Sequence, residues 1–320
     1  MVSNAVKADV LLVVVTLLAA ISWMFSKEAV LLMPPLLFVA MRFLLAGVML
    51  AMAGYSQLQA MNWDQYRQSA MVGLVFGMAM SCWIMGLHFG THIGEGAFLT
   101  SLGVVLVPVI VRLLFKEGSP VSTWLALPIA AFGLALLSLK DGFKIELGQV
   151  FYVSAAIIFA LFYAMNTRAV NRRLISENNG EAVYSEKVPA LALTAITLTC
   201  VGLLAAVLSL VLEPWQAVFE QFSLTLAAWI LASAVIGTAA RFFIQTYAQS
   251  LSTHSHGVVI MVAEPVWTAS LAALWFGETM LPMQFVGCAF ILVALLVNRW
   301  AAVWYLWKWM RLSGATKITE

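Results

Sequence analysis

Residues 87–117, LHFGTHIGEGAFLTSLGVVLVPVIVRLLFKE, and residues 248–278, AQSLSTHSHGVVIMVAEPVWTASLAALWFGE, align without a gap at an offset of 161 positions. Gly96 falls on Gly257, Val105 on Val266, Leu113 on Leu274, Phe115 on Phe276 and Glu117 on Glu278. Five identities in 31 positions are weak evidence alone, but the two stretches also share a layout. Each has a polar turn, about twenty apolar residues, then Phe-x-Glu and a further apolar run. The chain reads as an internal duplication.

Composition fixes the solvent of that duplication. Hydrophobic residues fill 63% of the 320 positions and charged residues only 10%, where soluble domains carry about 25% charge. Too little polar surface is available to cover a soluble fold of this size, so the chain reads as an all-α integral membrane protein. A net charge of +2 and the lack of basic clusters with interleaved aromatics argue against a nucleic-acid partner. Cys82, Cys200 and Cys288 all lie in apolar runs and are odd in number, so they read as buried thiols and not as a disulfide framework. The first apolar run follows Lys7 and Asp9, lacks an Ala-x-Ala cleavage site, and is as long as the later ones. It reads as a retained span.

A spanning helix needs about 20 mostly apolar residues. Such segments fall near 8–26, 32–54, 70–89, 95–115, 120–139, 147–167, 188–212, 226–249, 255–276 and 281–303, ten in all. Met33-Pro34-Pro35, Gly118-Ser119-Pro120, Lys140-Asp141-Gly142 and Glu213-Pro214 punctuate them. The connection from Arg168 to Lys187 is polar, with no sign of a separate folded domain. With the N-terminus inside, the inner side holds twelve Lys and Arg: 7, 67, 112, 116, 168, 172, 173, 187, 299, 308, 311 and 317. The outer side holds three, Lys27, Lys140 and Lys144. The positive-inside rule therefore places both termini in the cytoplasm.

Five spans precede the Lys140–Glu146 connection and five follow it. An odd number per repeat sets the halves antiparallel, as two inverted five-helix repeats at 8–139 and 147–303. Inverted repeats let a midplane site face either side by rocking, the architecture of secondary transporters. Residues 304–320 read as a cytoplasmic tail, and the Trp- and Tyr-rich run from Arg299 to Arg311 as an interfacial anchor.

Several local patterns carry a family likeness. Phe98-Leu99-Thr100-Ser101-Leu102 through Val107-Pro108 to Phe115-Lys116-Glu117 resembles the fourth-span motif of the EamA family, in the drug/metabolite transporter superfamily. Ala263-Glu264-Pro265-Val266 through Phe276-Gly277-Glu278 resembles the matching motif in the ninth span, and Met41-Arg42-Phe43-Leu44-Leu45-Ala46 is similar to the second-span pattern. The likeness covers about residues 10–303. It implies a ten-helix carrier of the bacterial inner membrane, often an exporter of amino acids, other metabolites or toxic compounds. One departure is that Gly103-Val104 stands where the second repeat has Glu264-Pro265, confining any role of that acid to one half.

Charge inside the bilayer marks the candidate substrate site, because an ionised side chain at a helix centre costs roughly 2.5–3.5 kcal/mol on insertion scales. Arg42, Arg241 and Glu264 qualify. Arg241 and Glu264 lie about 12–14 Å from the inner ends of sequential antiparallel spans, so an ion pair is feasible. It would serve either substrate and proton or the locking of the eighth span to the ninth. Thr238, Arg241, Gln245 and Gln249 recur at helical spacing as a polar stripe, facing either a cavity or neighbouring helices. Glu264, Trp267 and Thr268 share a face, and Pro265 weakens the helix beside the acid. Trp23, Trp83, Phe98 and Tyr163 can line an aromatic chamber or simply pack. Glu117 and Glu278 sit at span ends and read as caps or as links across the repeat, and Gly73, Gly77, Gly86 and Gly90 as close helix contacts.

His88 and His92 fall near the outer face while His254 and His256 fall near the inner one, so they cannot share a metal. No P-loop, zinc-protease helix or nucleophile motif is present, and neither a cofactor nor a metal is expected. The expectation is a carrier of a small-molecule substrate, with a proton or other ion as a coupling partner, working as monomer or homodimer. The competing readings are a membrane-embedded enzyme using Glu264 or the His88/His92 pair, and a receptor or scaffold without flux.

Overall fold

In the computed structural model, the described residues are 4–116, 121–137, 146–171, 174–178, 181–184, 186–215, 223–251, 263–279 and 281–298. Apart from one hairpin they build helices: α1 (Asn4–Val30), α2 (Pro35–Ala53), the short α3 (Tyr55–Gln59), α4 (Trp63–Phe89), α5 (Ile93–Phe115), α6 (Val121–Leu137), α7 (Leu147–Val170) and α8 (Ala190–Leu212). A continuous rod follows, made of α9 (Leu224–Ala232), a π-helical segment (Ser233–Ala240) and α10 (Arg241–Leu251). Last come α11 (Ala263–Phe276) and α12 (Pro282–Asn298). Seven of these, counting the rod as one, are long and apolar enough to cross a membrane. α6, α11 and α12, of 17, 14 and 17 residues, all adjoin residues outside the described set.

Local chemistry sets the helix ends. Asn62 accepts from the Gln65 backbone N–H at 2.9 Å, while the Gln65 side chain accepts from the Asn62 N–H at 3.0 Å. This capping box starts α4 seven residues before the apolar run that marks the expected span at 70–89. α2 opens on Pro35, whose missing N–H is harmless at the first helical position. Its next two amides, Leu36 and Leu37, donate to the Glu213 carboxylate at 2.8 and 2.9 Å, an acid supplied from beyond α8. α5 ends on Lys116 at φ 55° and α11 is followed by Gly277 at φ 65°, the two positive-φ residues among those described. These residues stand at equivalent positions of the 161-residue offset, so the Phe-x-Glu stretch leaves its helix by the same left-handed residue in both halves.

The connection between α7 and α8 was expected to be without regular structure. It instead contains an antiparallel pair, Leu174–Asn178 with Glu181–Tyr184. The Asn179-Gly180 dipeptide between the strands is the sequence signal for a two-residue hairpin.

The bundle is inside-out relative to a soluble protein. Leu113, Leu114, Val121, Leu210, Val211, Leu212, Leu224 and Leu274 face outward, whereas Arg42, Glu95, Gln149, Asn166 and Gln245 are buried. α2 packs on α8, α4 on α7 and α8, α5 on α7, α6 on α12, and α1 on α10 and α11. Close approach uses small residues: Gly47 of α2 lies against Thr199 of α8, and Gly202 of α8 against Leu44 of α2. Gly73 and Gly77 admit α8, and Gly86 and Gly90 admit the Tyr152 ring of α7. Phe76 stacks on Phe162 at 4.1 Å and meets Phe43, Phe159 and Phe242 edge-on or tilted, which forms an aromatic plug across α2, α4, α7 and α10.

One end of the bundle is pinned through the α4–α5 turn. Lys27 of α1 donates to the Leu87 and Gly90 carbonyls at 3.2 and 3.4 Å, a cation at a helix C-terminus. The Glu278 carboxylate accepts from the Ile93 and Gly94 amides at the N-terminus of α5. Glu278 therefore does link across the two halves of the chain. Glu117, its counterpart, lies outside the described residues, as do His254, His256 and the 299–320 tail.

Because Glu213 satisfies two amides that no water can reach in a bilayer, Glu213→Ala should lower stability by about 1–2 kcal/mol. A reduced unfolding midpoint of the purified protein checks this.

Candidate functional site

Glu264, in the first turn of α11, is the hub of the interior. Both carboxylate oxygens accept from the Arg241 guanidinium at 3.4 Å, and one accepts from the Trp23 indole N–H at 3.4 Å. Three helices from both halves of the sequence meet there. The pair is nearly dry, with side-chain exposures of 12% for Arg241 and 18% for Glu264. Its distances are long for a bidentate fork, which closes at about 2.7–2.9 Å. Trp23 meets Trp83 edge-to-face at 4.8 Å and Tyr152 at 5.9 Å. Tyr163, packed on Phe159 and Phe162, stands within electrostatic reach of Glu264 and Arg241.

Arg42 forms a second charged centre with a different logic. It is 1% exposed, and its donors go to Thr238 Oγ1 at 2.9 Å, Ser26 Oγ at 2.6 Å, Ser22 Oγ at 3.0 Å and the Gly237 carbonyl at 3.4 Å. The Phe38 and Phe43 rings lie 5.3 and 5.2 Å from its guanidinium carbon. Among the described residues no carboxylate stands at ion-pairing distance, so dipoles and ring faces alone balance this cation. The π-helical segment helps to make this possible: Thr238 turns its hydroxyl proton to the Ser233 carbonyl five residues back, leaving its lone pair to Arg42. π-bulges within helices recur at functional sites.

The polar stripe of the rod is spent mainly on neighbouring helices. Thr238 receives Arg42, Arg241 reaches Glu264, and Gln249 accepts from Asn166 of α7 at 2.8 Å. Two groups are left over: Arg241 Nε and Gln245 Oε1 are buried with no hydrogen-bond partner among the described residues. One donor and one acceptor, a helical turn apart, are thus available to a ligand between α10 and α11. Phe98 and Trp83 lie in the buried core. Trp267 is 43% exposed, while Thr268 beside it is fully buried and donates to the Glu264 carbonyl at 2.9 Å. Ser22 and Ser26 went unread in the sequence, although two serines at i and i+4 beside Trp23 in an apolar helix are a polar stripe of their own.

At the Lys/Arg-rich end a cavity of about 370 Å³ opens between α4, α5 and α7. Asp64, Arg67 and Arg168 line its polar part, and Met71, Phe115 and Met165 its apolar part. Arg168 lies over the Phe115 ring at 3.9 Å. Val72 leads from this cavity toward the Phe76 plug, one helical turn deeper on α4.

A buried ion pair of both halves, a chamber of indoles and phenols, and a lipid-facing exterior define a multi-pass membrane transporter. The chain belongs to the EamA-like transporter family, which it matches over residues 6–139 and again over 146–300, and so to the drug/metabolite transporter superfamily. It is similar to an uncharacterized transporter of Archaeoglobus fulgidus, at 23% identity over 239 residues, 74% of this chain and 69% of the relative. A protein of known crystal structure shares the fold, with a TM-score of 0.64 at 18% identity over 92% of this chain and 97% of that one.

Removing one partner of a buried pair leaves the other charge uncompensated. Glu264→Gln and Arg241→Gln should each lower stability by about 3–5 kcal/mol, and the double variant should recover most of it. Unfolding of the three variants measures the coupling.

Proposed function

We propose that the protein is a secondary transporter exporting a small organic solute, of the amino acid, metabolite or drug-like class, across the bacterial inner membrane by alternating access. The observation that carries this reading is the Glu264–Arg241–Trp23 cluster, with Arg241 Nε and Gln245 Oε1 left unclaimed beside it. A zwitterionic or hydrogen-bonding solute entering there replaces long, imperfect contacts with shorter ones, and the aromatic chamber covers its apolar part.

The packing pattern supports ten spans in two inverted repeats. If α1, α2, α4, α5 and α6 correspond to α7, α8, the rod, α11 and α12, then each major contact has its counterpart. α4 on α7 mirrors the rod on α1, α5 on α7 mirrors α11 on α1, and α4 on α8 mirrors the rod on α2. α2 on α8 and α6 on α12 map onto themselves. Such a bundle has two related states of similar energy, which is what alternating access requires. The excess of Lys and Arg at the end bearing Arg67, Arg112 and Arg168 supports cytoplasmic termini. On that orientation the 370 Å³ cavity is the cytoplasmic entrance. Arg67 and Arg168 beside Met71 and Phe115 favour a solute with a carboxylate and an apolar portion.

Profiling metabolites in the medium of overexpressing and deletion cells tests the reading. The exported solute should rise on overexpression, and Glu264→Gln at equal membrane abundance should export at least about tenfold less. Export by that variant at the parental rate would remove Glu264 from the mechanism.

A further inference from the structure

A second buried carboxylate, at the end of the bundle far from the 370 Å³ cavity, serves no step described so far. Glu95, in the first turn of α5, is 5% exposed and accepts a short hydrogen bond from the Gln149 amide nitrogen of α7. Gln149 is itself 7% exposed, and its Oε1 is buried with no hydrogen-bond partner among the described residues. Both line a small enclosed cavity with Thr91, Glu146 and Tyr152, of about 10 Å³. That is room for one water-sized occupant. Thr91 donates to Glu146 at 3.3 Å across the same space.

The donor set is entirely of hard oxygen: two carboxylates, an amide carbonyl and two hydroxyls. The surrounding charges are also unbalanced. Glu95 of α5, Glu146 before α7 and Glu278 after α11 face this end, along with Glu28 of α1, which accepts from Trp275. Lys27 is the cation among them, and it is engaged by the Leu87 and Gly90 carbonyls. His92 also borders the cavity. A neutral water can satisfy Gln149 but leaves the excess negative charge in a low dielectric. A small monovalent cation answers both.

We propose that Glu95, Gln149, Glu146 and Thr91 form a binding site for a sodium-sized monovalent cation. The site joins the first turn of α5 to the first turn of α7, so the ion holds the two halves together at this end. Its role as a coupling ion rests on the transporter reading, but its binding does not.

Equilibrium binding of radioactive sodium to the purified full-length protein in lipid nanodiscs tests the site, with choline chloride holding ionic strength constant. The wild type should show one saturable class of sites. Glu95→Gln and Gln149→Leu should each weaken it about tenfold or more, and Glu186→Gln at the opposite end should leave it unchanged. Unfolding midpoints recorded without sodium separate a lost site from a lost fold. Absence of saturable binding in the wild type, or wild-type affinity in a folded Glu95→Gln variant, overturns the proposal. Solute export persisting without sodium binding would reject the cation site and leave the transporter reading standing.

Discussion

Inside a bilayer no water is available to a stranded charge or amide, so every polar group on these helices has to find its partner on another helix. Arg42 shows how far that requirement reaches. Its guanidinium on α2 fixes the rotamers of Ser22 and Ser26 on α1, and it holds Thr238 and Gly237 of the rod in a π-helical turn. Three helices are thereby tied at one level without a counter-ion. That arrangement leaves the single buried carboxylate of α11, Glu264, to Arg241 and Trp23. Had Glu264 neutralised Arg42 instead, Arg241 would be the uncompensated charge, and the chamber between α10 and α11 would lose its acid.

The same rule organises the two ends. Amides and carbonyls at helix termini are met by side chains from distant segments: Glu213 for α2, Glu278 for α5, Lys27 for the end of α4. These contacts are few and polar, and each can be exchanged for water when its end opens. The interior contacts between α2 and α8 are apolar and pass through glycine, so nothing is gained by separating them. The polar ends can therefore move while the apolar spine, α2 on α8, persists. In the proposed cycle the Phe76 plug and the α4–α5 turn take opposite parts, one obstructing the Lys/Arg-rich end and the other the far end.

Most of the fold was legible because lipid imposes a length on each apolar run, and helices stand near each expected segment. The Asn62–Gln65 capping box was legible too, although the apolar run alone placed that helix's start seven residues late. The hairpin could have been read from Asn179-Gly180. The pairing of Arg241 with Glu264 followed from two sequential antiparallel segments. What stayed hidden was contact between remote segments: Trp23 and Glu264 are 241 residues apart, Glu95 and Gln149 are 54. No periodicity links such residues. Glu95 in particular looked like the polar edge of a span, and only the approach of α7 makes it interior. Trp267 illustrates the converse, since sharing a helical face with Glu264 did not bury it.

The central claim is that two antiparallel halves enclose one charged site, and antiparallel halves demand that equivalent loops lie on opposite sides of the membrane. The direct measurement is the accessibility of single tags at residues 142 and 178 to impermeant reagents in sealed cells. The account predicts that 142 labels from outside and 178 only after the membrane is breached. Labelling of both from the same side would contradict it.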